Sequence, residues 1–331
     1  MTRDESGARR LILEWAEQGS IPPENVARAL ALAGASPGAS DWRRFISTLF
    51  LWLGVLLFAA GVIFFFAYNW ESLGRFAKFG LVEALLVASI IAAVAAGPDR
   101  ASGKAALFLA SMLTGALLAL IGQTYQTGAD TFELFAWWGL LILPWTMAAR
   151  TPVLWLLEVL LVNLAAGFYF VAFRRFLFFS GSEESLVWAL ALLNTAMLAA
   201  WEAGILFGLS WMDDRWSRRV IAALAGTGAT FLAVWGIFES SSVGALAIPF
   251  YLAWLAAVYF YYRYRARDLF VLAGSVLSLI VFVACFLGNA LLKQGDAGAF
   301  FIIGLIVIGM SAAGAWWLRG LAAEDDKDAN A

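Results

Sequence analysis

The sequence contains no histidine and a single cysteine, Cys285, which sits inside an apolar run. One cysteine excludes a disulfide within the chain. Without imidazole or thiolate clusters, the usual zinc sites and the Ser/His or Cys/His catalytic pairs are excluded as well. No cofactor or metal is expected, and no catalytic residue is assigned. Charge is equally scarce. Charged residues make up 14% of the chain, against about 25% in soluble proteins, so water is not its main solvent. With a net charge of -2 and basic residues scattered at the ends of apolar runs, no nucleic-acid partner is expected. The nearest approach to a phosphate loop runs from Gly97 through Gly103 to Lys104. It has one residue too many between its glycines and lacks the Ser or Thr after Lys104 that would hold magnesium.

What the chain has in quantity is apolar length. Hydrophobic residues reach 63% and the mean hydropathy is +0.81. They fall into ten blocks, at 46–68, 76–97, 105–122, 132–149, 151–173, 186–208, 219–238, 243–262, 269–292 and 298–318. At about 1.5 Å per residue, each block crosses a hydrocarbon core of roughly 30 Å. The predicted fold class is all-α integral membrane: a polytopic helical bundle of about ten transmembrane helices, with the lipid bilayer as its main partner.

Residues 1–45 are polar. Leu11, Ile12 and Trp15 recur at helical spacing, and Gly19 stops that helix. Pro22 and Pro23 open a second helix that carries Val26, Ala27 and Leu30 and ends at Gly34. The result is a short cytoplasmic helical hairpin, too small to stand alone, that leans on the membrane surface or on a cytoplasmic protein partner. No cleavable signal precedes the first span, which stays as an anchor. Residues 319–331 read as a disordered acidic tail.

An even number of spans puts both termini on one side, and the positive-inside rule chooses which. With the N-terminus in the cytoplasm, thirteen Lys and Arg flank the spans inside and five outside. Arg174 and Arg175 are the main dissent. Among small residues at four-residue spacing, Ala88, Ala92 and Ala96, with Ser89, Ala93 and Gly97 beside them, let the second span approach a neighbour closely. The ring of Trp at span ends is an aromatic belt. The tyrosines from Tyr259 to Tyr264, beside Arg263, Arg265 and Arg267, fit the same belt, or hold an anionic headgroup.

Five polar residues lie inside spans. Counted from the outer ends, Glu83 is roughly 10 Å deep, Asn194 about 12, Asn163 about 15, Glu158 about 22 and Glu202 about 24. An ionisable group in hydrocarbon costs at least about 2.5 kcal/mol, so such residues face an interior. Two readings are open. They form a graded path for a proton or small cation, or they are interhelical hydrogen-bond glue.

The outer loop Gly122-Gln123-Thr124-Tyr125-Gln126-Thr127-Gly128-Ala129-Asp130 is the most distinctive polar stretch. Asp130 and Glu133 have the spacing of a capping box, which leaves the Gln-Thr-Tyr-Gln-Thr run unexplained. Loops on a rigid bundle often carry binding groups. With Ala67-Tyr68-Asn69-Trp70-Glu71 and the N-terminal hairpin, this loop resembles the bacterial membrane-protein family catalogued as domain of unknown function 2157, over roughly residues 8–170. The resemblance implies a bacterial cytoplasmic (inner) membrane location and supplies no mechanism. It also implies that Asn69, Trp70, Gln123, Tyr125, Gln126, Gly128 and Asp130 share an outer-face feature. Two functions follow: a secondary transporter or channel-like protein for a proton, small cation or small solute, or a non-transporting scaffold or envelope sensor whose hairpin docks a cytoplasmic partner. An enzyme is disfavoured because the motif chemistry is missing.

Overall fold

The computed structural model describes residues 3–36, 38–68, 73–97, 99–173, 183–238, 244–291 and 297–328. It contains no strand among them. Ten helices are long and apolar enough to span a membrane, as the hydropathy blocks predict. The chain forms two compact units, residues 1–64 with 322–331, and residues 65–321.

In the first unit, α1 (Arg3–Glu17) and α2 (Pro23–Leu32) pack on each other as the expected hairpin. Gly19 and Gly34 adopt φ of +74° and +65°, a conformation costly for any residue with a Cβ. The Ser20 N–H then reaches the Trp15 carbonyl, and the Ala35 N–H reaches that of Leu30. Both ends are Schellman closures, which satisfy carbonyls the helix leaves open. Of the α1 apolar residues, only Ile12 is buried; Leu11 and Trp15 are half-exposed. The third helix, α3 (Ala39–Tyr68), starts seven residues before the predicted span. Asp41 accounts for this, because its carboxylate accepts the Gly38 N–H at 2.9 Å and caps the first turn.

In the second unit, α4 (Arg75–Ala96), α5 (Ala101–Tyr125), α6 (Thr131–Ala149), α7 (Pro152–Phe173), α8 (Glu183–Leu206) and α9 (Arg215–Phe238) each pack on the next in sequence, with α8 and α9 joined through a 3₁₀ turn at Ser210–Met212. Short connections make these neighbours antiparallel. Then α10 (Gly244–Phe260), prolonged by a π-helical turn at Tyr261–Arg265, and α11 (Leu269–Leu291) both pack on α9. Of the two small-residue stripes on α4, the buried one contains Ser89 and Ala93, whereas Ala88 and Ala92 are exposed. A core of Leu198, Trp201, Ile221, Ala225, Tyr251 and Tyr262 joins α8, α9 and α10.

The last helix, α12 (Ala297–Asp328), runs well past the predicted end of the tenth span at residue 318. The stretch expected as a disordered tail is therefore helical through Asp328. Leu318, Leu321, Ala322 and Ala323 are strong helix formers, and Leu321 is buried, so the span's last turn continues instead of fraying.

Candidate functional site

The five intramembrane polar residues do not share one surface. Glu83 is exposed on α4, next to buried Val82. Glu158 is buried on α7 and accepts the Thr146 hydroxyl of α6 at 3.1 Å. Gly139 on α6 leaves room for this carboxylate, whose Oε2 lies 3.1 Å from where a Cβ would stand.

Asn163 of α7 and Asn194 of α8 pair reciprocally. The Asn163 amide donates to Asn194 Oδ1 at 3.0 Å, and the Asn194 amide returns a bond to Asn163 Oδ1 at 2.8 Å. Each also donates to the carbonyl four residues back on its own helix, Val159 or Leu190. Both donors and the acceptor of each amide are thus used. A double-mutant cycle with Asn163→Leu and Asn194→Leu should give a coupling of about 0.6 to 1.7 kcal/mol, the range of polar pairs inside membranes. SDS titration in mixed micelles measures it. Additive single losses would mean that the two amides do not stabilise each other.

Glu202 anchors the largest cluster. Near the end of α8, its carboxylate accepts Tyr262 Oη–H at 2.5 Å and Tyr261 Oη–H at 2.9 Å. Arg218 Nε lies 3.4 Å from Glu202 Oε1, and Arg218 Nη2 donates to Asp213 at 2.7 Å. Consecutive residues of an α-helix point about 100° apart. The π-helical turn brings both hydroxyls to one carboxylate, and such turns recur at functional sites. Nearby, the Trp201 indole donates to the Met212 carbonyl at 3.1 Å. The Met212 sulfur occupies the notch at Gly204, where a Cβ would overlap it. Arg219, one residue on from Arg218, pairs with buried Asp268 through Nε at 3.0 and 3.2 Å. These contacts tie α8, α9, α10 and α11 together at one end of the unit. The sequence marked Glu202 but assigned its tyrosine partners to an aromatic belt. The spacing of Asp213, Arg218 and Asp268 around two short turns was the available signal.

The outer-loop candidates divide differently. Gly122, Gln123, Thr124 and Tyr125 belong to the last turn of α5, and Gln126 is its left-handed cap at φ +46°. The connection is therefore only Thr127 to Asp130, with Gly128 at φ +68°. Gln123, Tyr125, Gln126, Gly128 and Asp130 are exposed, and the Tyr125 ring packs 5.8 Å from that of Phe79. Asp130 occupies the N-cap of α6 without a side-chain bond. The expected capping box is absent: the bond here runs from the Glu133 N–H to the Asp130 backbone carbonyl, at 3.0 Å. Extended backbone at Asp130 already closes the turn this way, so neither carboxylate is needed. Asn69 and Trp70 lie outside the described residues.

A groove of about 520 Å³ opens between α9 and α11, inside the size range of small-molecule sites. Ala222, Ala223, Gly226 and Thr227 face Gly274 and Ser275 across it. Thr230 and Ser278 form its polar floor, their hydroxyls 2.6 Å apart and Ser278 also 2.7 Å from the buried Tyr251 hydroxyl. No group of three or more metal-ligating side chains occurs among the described residues.

The motif residues and the first spans resemble one family, and a family model covers that part of the chain. Residues 13–155 match Predicted membrane protein (DUF2157). The DUF2157 match takes in the hairpin from Leu13 onward, α3 to α6 and the turn at 126–130, and it stops just before Glu158. The Asn163–Asn194 pair, the Glu202 cluster and the groove lie outside the DUF2157 segment. No curated protein and no solved structure matches the chain.

Proposed function

We propose that the protein is a non-conducting multi-pass module of the bacterial cytoplasmic membrane, with both termini inside, whose N-terminal hairpin docks a cytoplasmic protein. The observation that carries this reading is the pairing of the intramembrane polar groups. Glu158 is used by Thr146, Asn163 by Asn194, and Glu202 by two tyrosines and an arginine, in three separate interfaces. A proton or cation path needs groups that face a common wet cavity. The groove in the same unit is lined by none of the five. Glue therefore accounts for four of them, and Glu83 stands apart.

The docking half rests on α1. Ile12 is buried, whereas Leu11 and Trp15, four residues apart on one side of the helix, stay exposed as an apolar stripe between charged neighbours. The outer turn at Gln126–Asp130 supplies exposed polar groups for sensing on the other side.

Two measurements test the reading together. Proteoliposomes carrying the purified protein should show proton and cation flux no higher than empty vesicles, and Glu158→Gln should change nothing. Flux above background that is lost in Glu158→Gln would restore the transport reading. In cells, Leu11→Glu with Trp15→Glu should abolish a cross-link that the wild-type hairpin makes to a cytoplasmic protein, while SDS titration shows the spans unaffected. A cross-link that survives both substitutions would remove the hairpin from docking.

A further inference from the structure

We infer that the groove between α9 and α11 holds an acyl chain of an anionic phospholipid, with the phosphate at Arg215 and Arg219. The placement follows from one face of α9. Arg215, Arg219, Ala223 and Thr227 succeed one another at four-residue spacing and form one continuous stripe. Two guanidinium groups sit at its end, followed by residues too small to fill the space beside them. On α11 the order is the same. Phe270 at the groove's mouth lies under Arg219, with the guanidinium carbon 5.3 Å from the ring centroid, and Gly274 and Ser275 continue inward. The gap exists because none of these small side chains reaches across it: a Cβ at Gly274 meets no atom within 4 Å. It lies within two segments long and apolar enough to cross a membrane, so hydrocarbon and not water surrounds it.

Charge selects the headgroup. Between residues 202 and 268, six arginines (215, 218, 219, 263, 265 and 267) stand at this end against Glu202, Asp213, Asp214 and Asp268, a surplus of two positive charges. Arg218 is spent on Glu202 and Asp213, and Asp268 offsets part of Arg219. Arg215 is exposed on the same stripe, so its field falls on whatever enters the groove. A basic residue at a membrane surface favours an anionic lipid by about fivefold. The hydroxyls of Thr230 and Ser278 are already bonded to each other, to the Gly226 carbonyl and to Tyr251, so the floor makes no demand on a polar chain end. A saturated or monounsaturated hydrocarbon chain fits such a floor.

The test is native mass spectrometry of the full-length protein released from micelles containing equal amounts of dioleoyl phosphatidylglycerol and dioleoyl phosphatidylethanolamine. One phosphatidylglycerol should be retained with a preference of at least about fivefold over phosphatidylethanolamine. Gly274→Leu should remove the bound lipid, since a Cβ there meets no atom within 4 Å and the side chain fills the groove without displacing a helix. Ala223→Leu, on the facing helix, should do the same and guards against misfolding of the first variant. Arg215→Gln should keep the chain site but lower the preference by about fivefold. Equal retention of the two lipids, retention unchanged in both leucine variants, or a preference that survives Arg215→Gln would each overturn the assignment. So would displacement of the lipid by soluble glycerol phosphate alone, which would mean that the groove contributes nothing.

Discussion

Arg218→Leu should lower the unfolding free energy by about 3–5 kcal/mol, read as an earlier midpoint in SDS titration of the purified protein in mixed micelles. Its side chain is 10% exposed and that of Glu202 is 7% exposed, so neither charge has water to fall back on. Removing the guanidinium leaves the Glu202 carboxylate with two neutral hydroxyls and no counter-charge. A buried charge stripped of its partner carries the full desolvation cost, which is why one deletion exceeds the worth of the pair. Replacing both members by apolar residues of similar size avoids that cost. Glu202→Leu combined with Arg218→Met should therefore recover most of the loss. Tyr262→Phe, which removes one of several partners, should cost about 1–3 kcal/mol. If Arg218→Leu stays within about 0.5 kcal/mol of wild type, as surface changes do, the cluster does not hold the end of the unit together.

The spans were legible in the sequence because a membrane helix must be apolar over a fixed length, and that constraint is written residue by residue. Helix ends were legible where a glycine closes them, as at Gly19 and Gly34 of the hairpin. Two span ends were missed because hydropathy does not mark them. The Asp41 cap extends the first long helix backward, and the alanines and leucines after Trp317 extend the last one forward by helix propensity. The sequence also marked Glu158, Asn163, Asn194 and Glu202 as residues needing partners. It could not choose the partners, because an asparagine on one span pairs with whichever polar group the packing brings opposite. A depth measured along each helix says nothing of the direction a side chain takes around it. The graded path drawn from depths thus separates into three interfaces once rotation about each helix axis is fixed.

Tyrosines carry the same ambiguity. Tyr261 and Tyr262 have the composition and position of a headgroup belt, and only the π-helical turn sends both hydroxyls inward to Glu202. Small residues are more ambiguous still. The stripe at Ser89 and Ala93 lets α4 and α5 close up, whereas Ala223, Gly226 and Gly274 on other helices border an open groove. What differs is how near the facing helix comes. A small residue can be covered by a large side chain, or by another small residue as Gly236 is by Gly244 and Ala247, and it borders a space only where neither comes close, as at Gly274.

Gly115 shows the first of these cases and carries the second large effect. The Trp138 ring of α6 lies over this glycine of α5, so that a Cβ would overlap the six-membered part of the indole. The ring cannot retreat freely, because its Nε1–H donates to the Ser111 carbonyl at 2.7 Å one turn away, while Phe135 stacks 6.4 Å from it. Gly115→Val should therefore cost about 2–4 kcal/mol, from overpacking of about 1–3 kcal/mol and the loss of a hydrogen bond of about 1 kcal/mol. Helix propensity opposes this loss by less than about 1 kcal/mol, since any residue other than proline is a better helix former than glycine. Gly122, seven residues further along α5, has no atom within 4 Å of its Cβ position. Gly122→Ala should then stabilise the protein by up to about 1 kcal/mol, the propensity gain alone. The two substitutions on one helix should move the SDS midpoint in opposite directions. Movement in the same direction would show that the Trp138 ring is not seated against α5, and with it the packing that joins α5 to α6 would have to be redrawn.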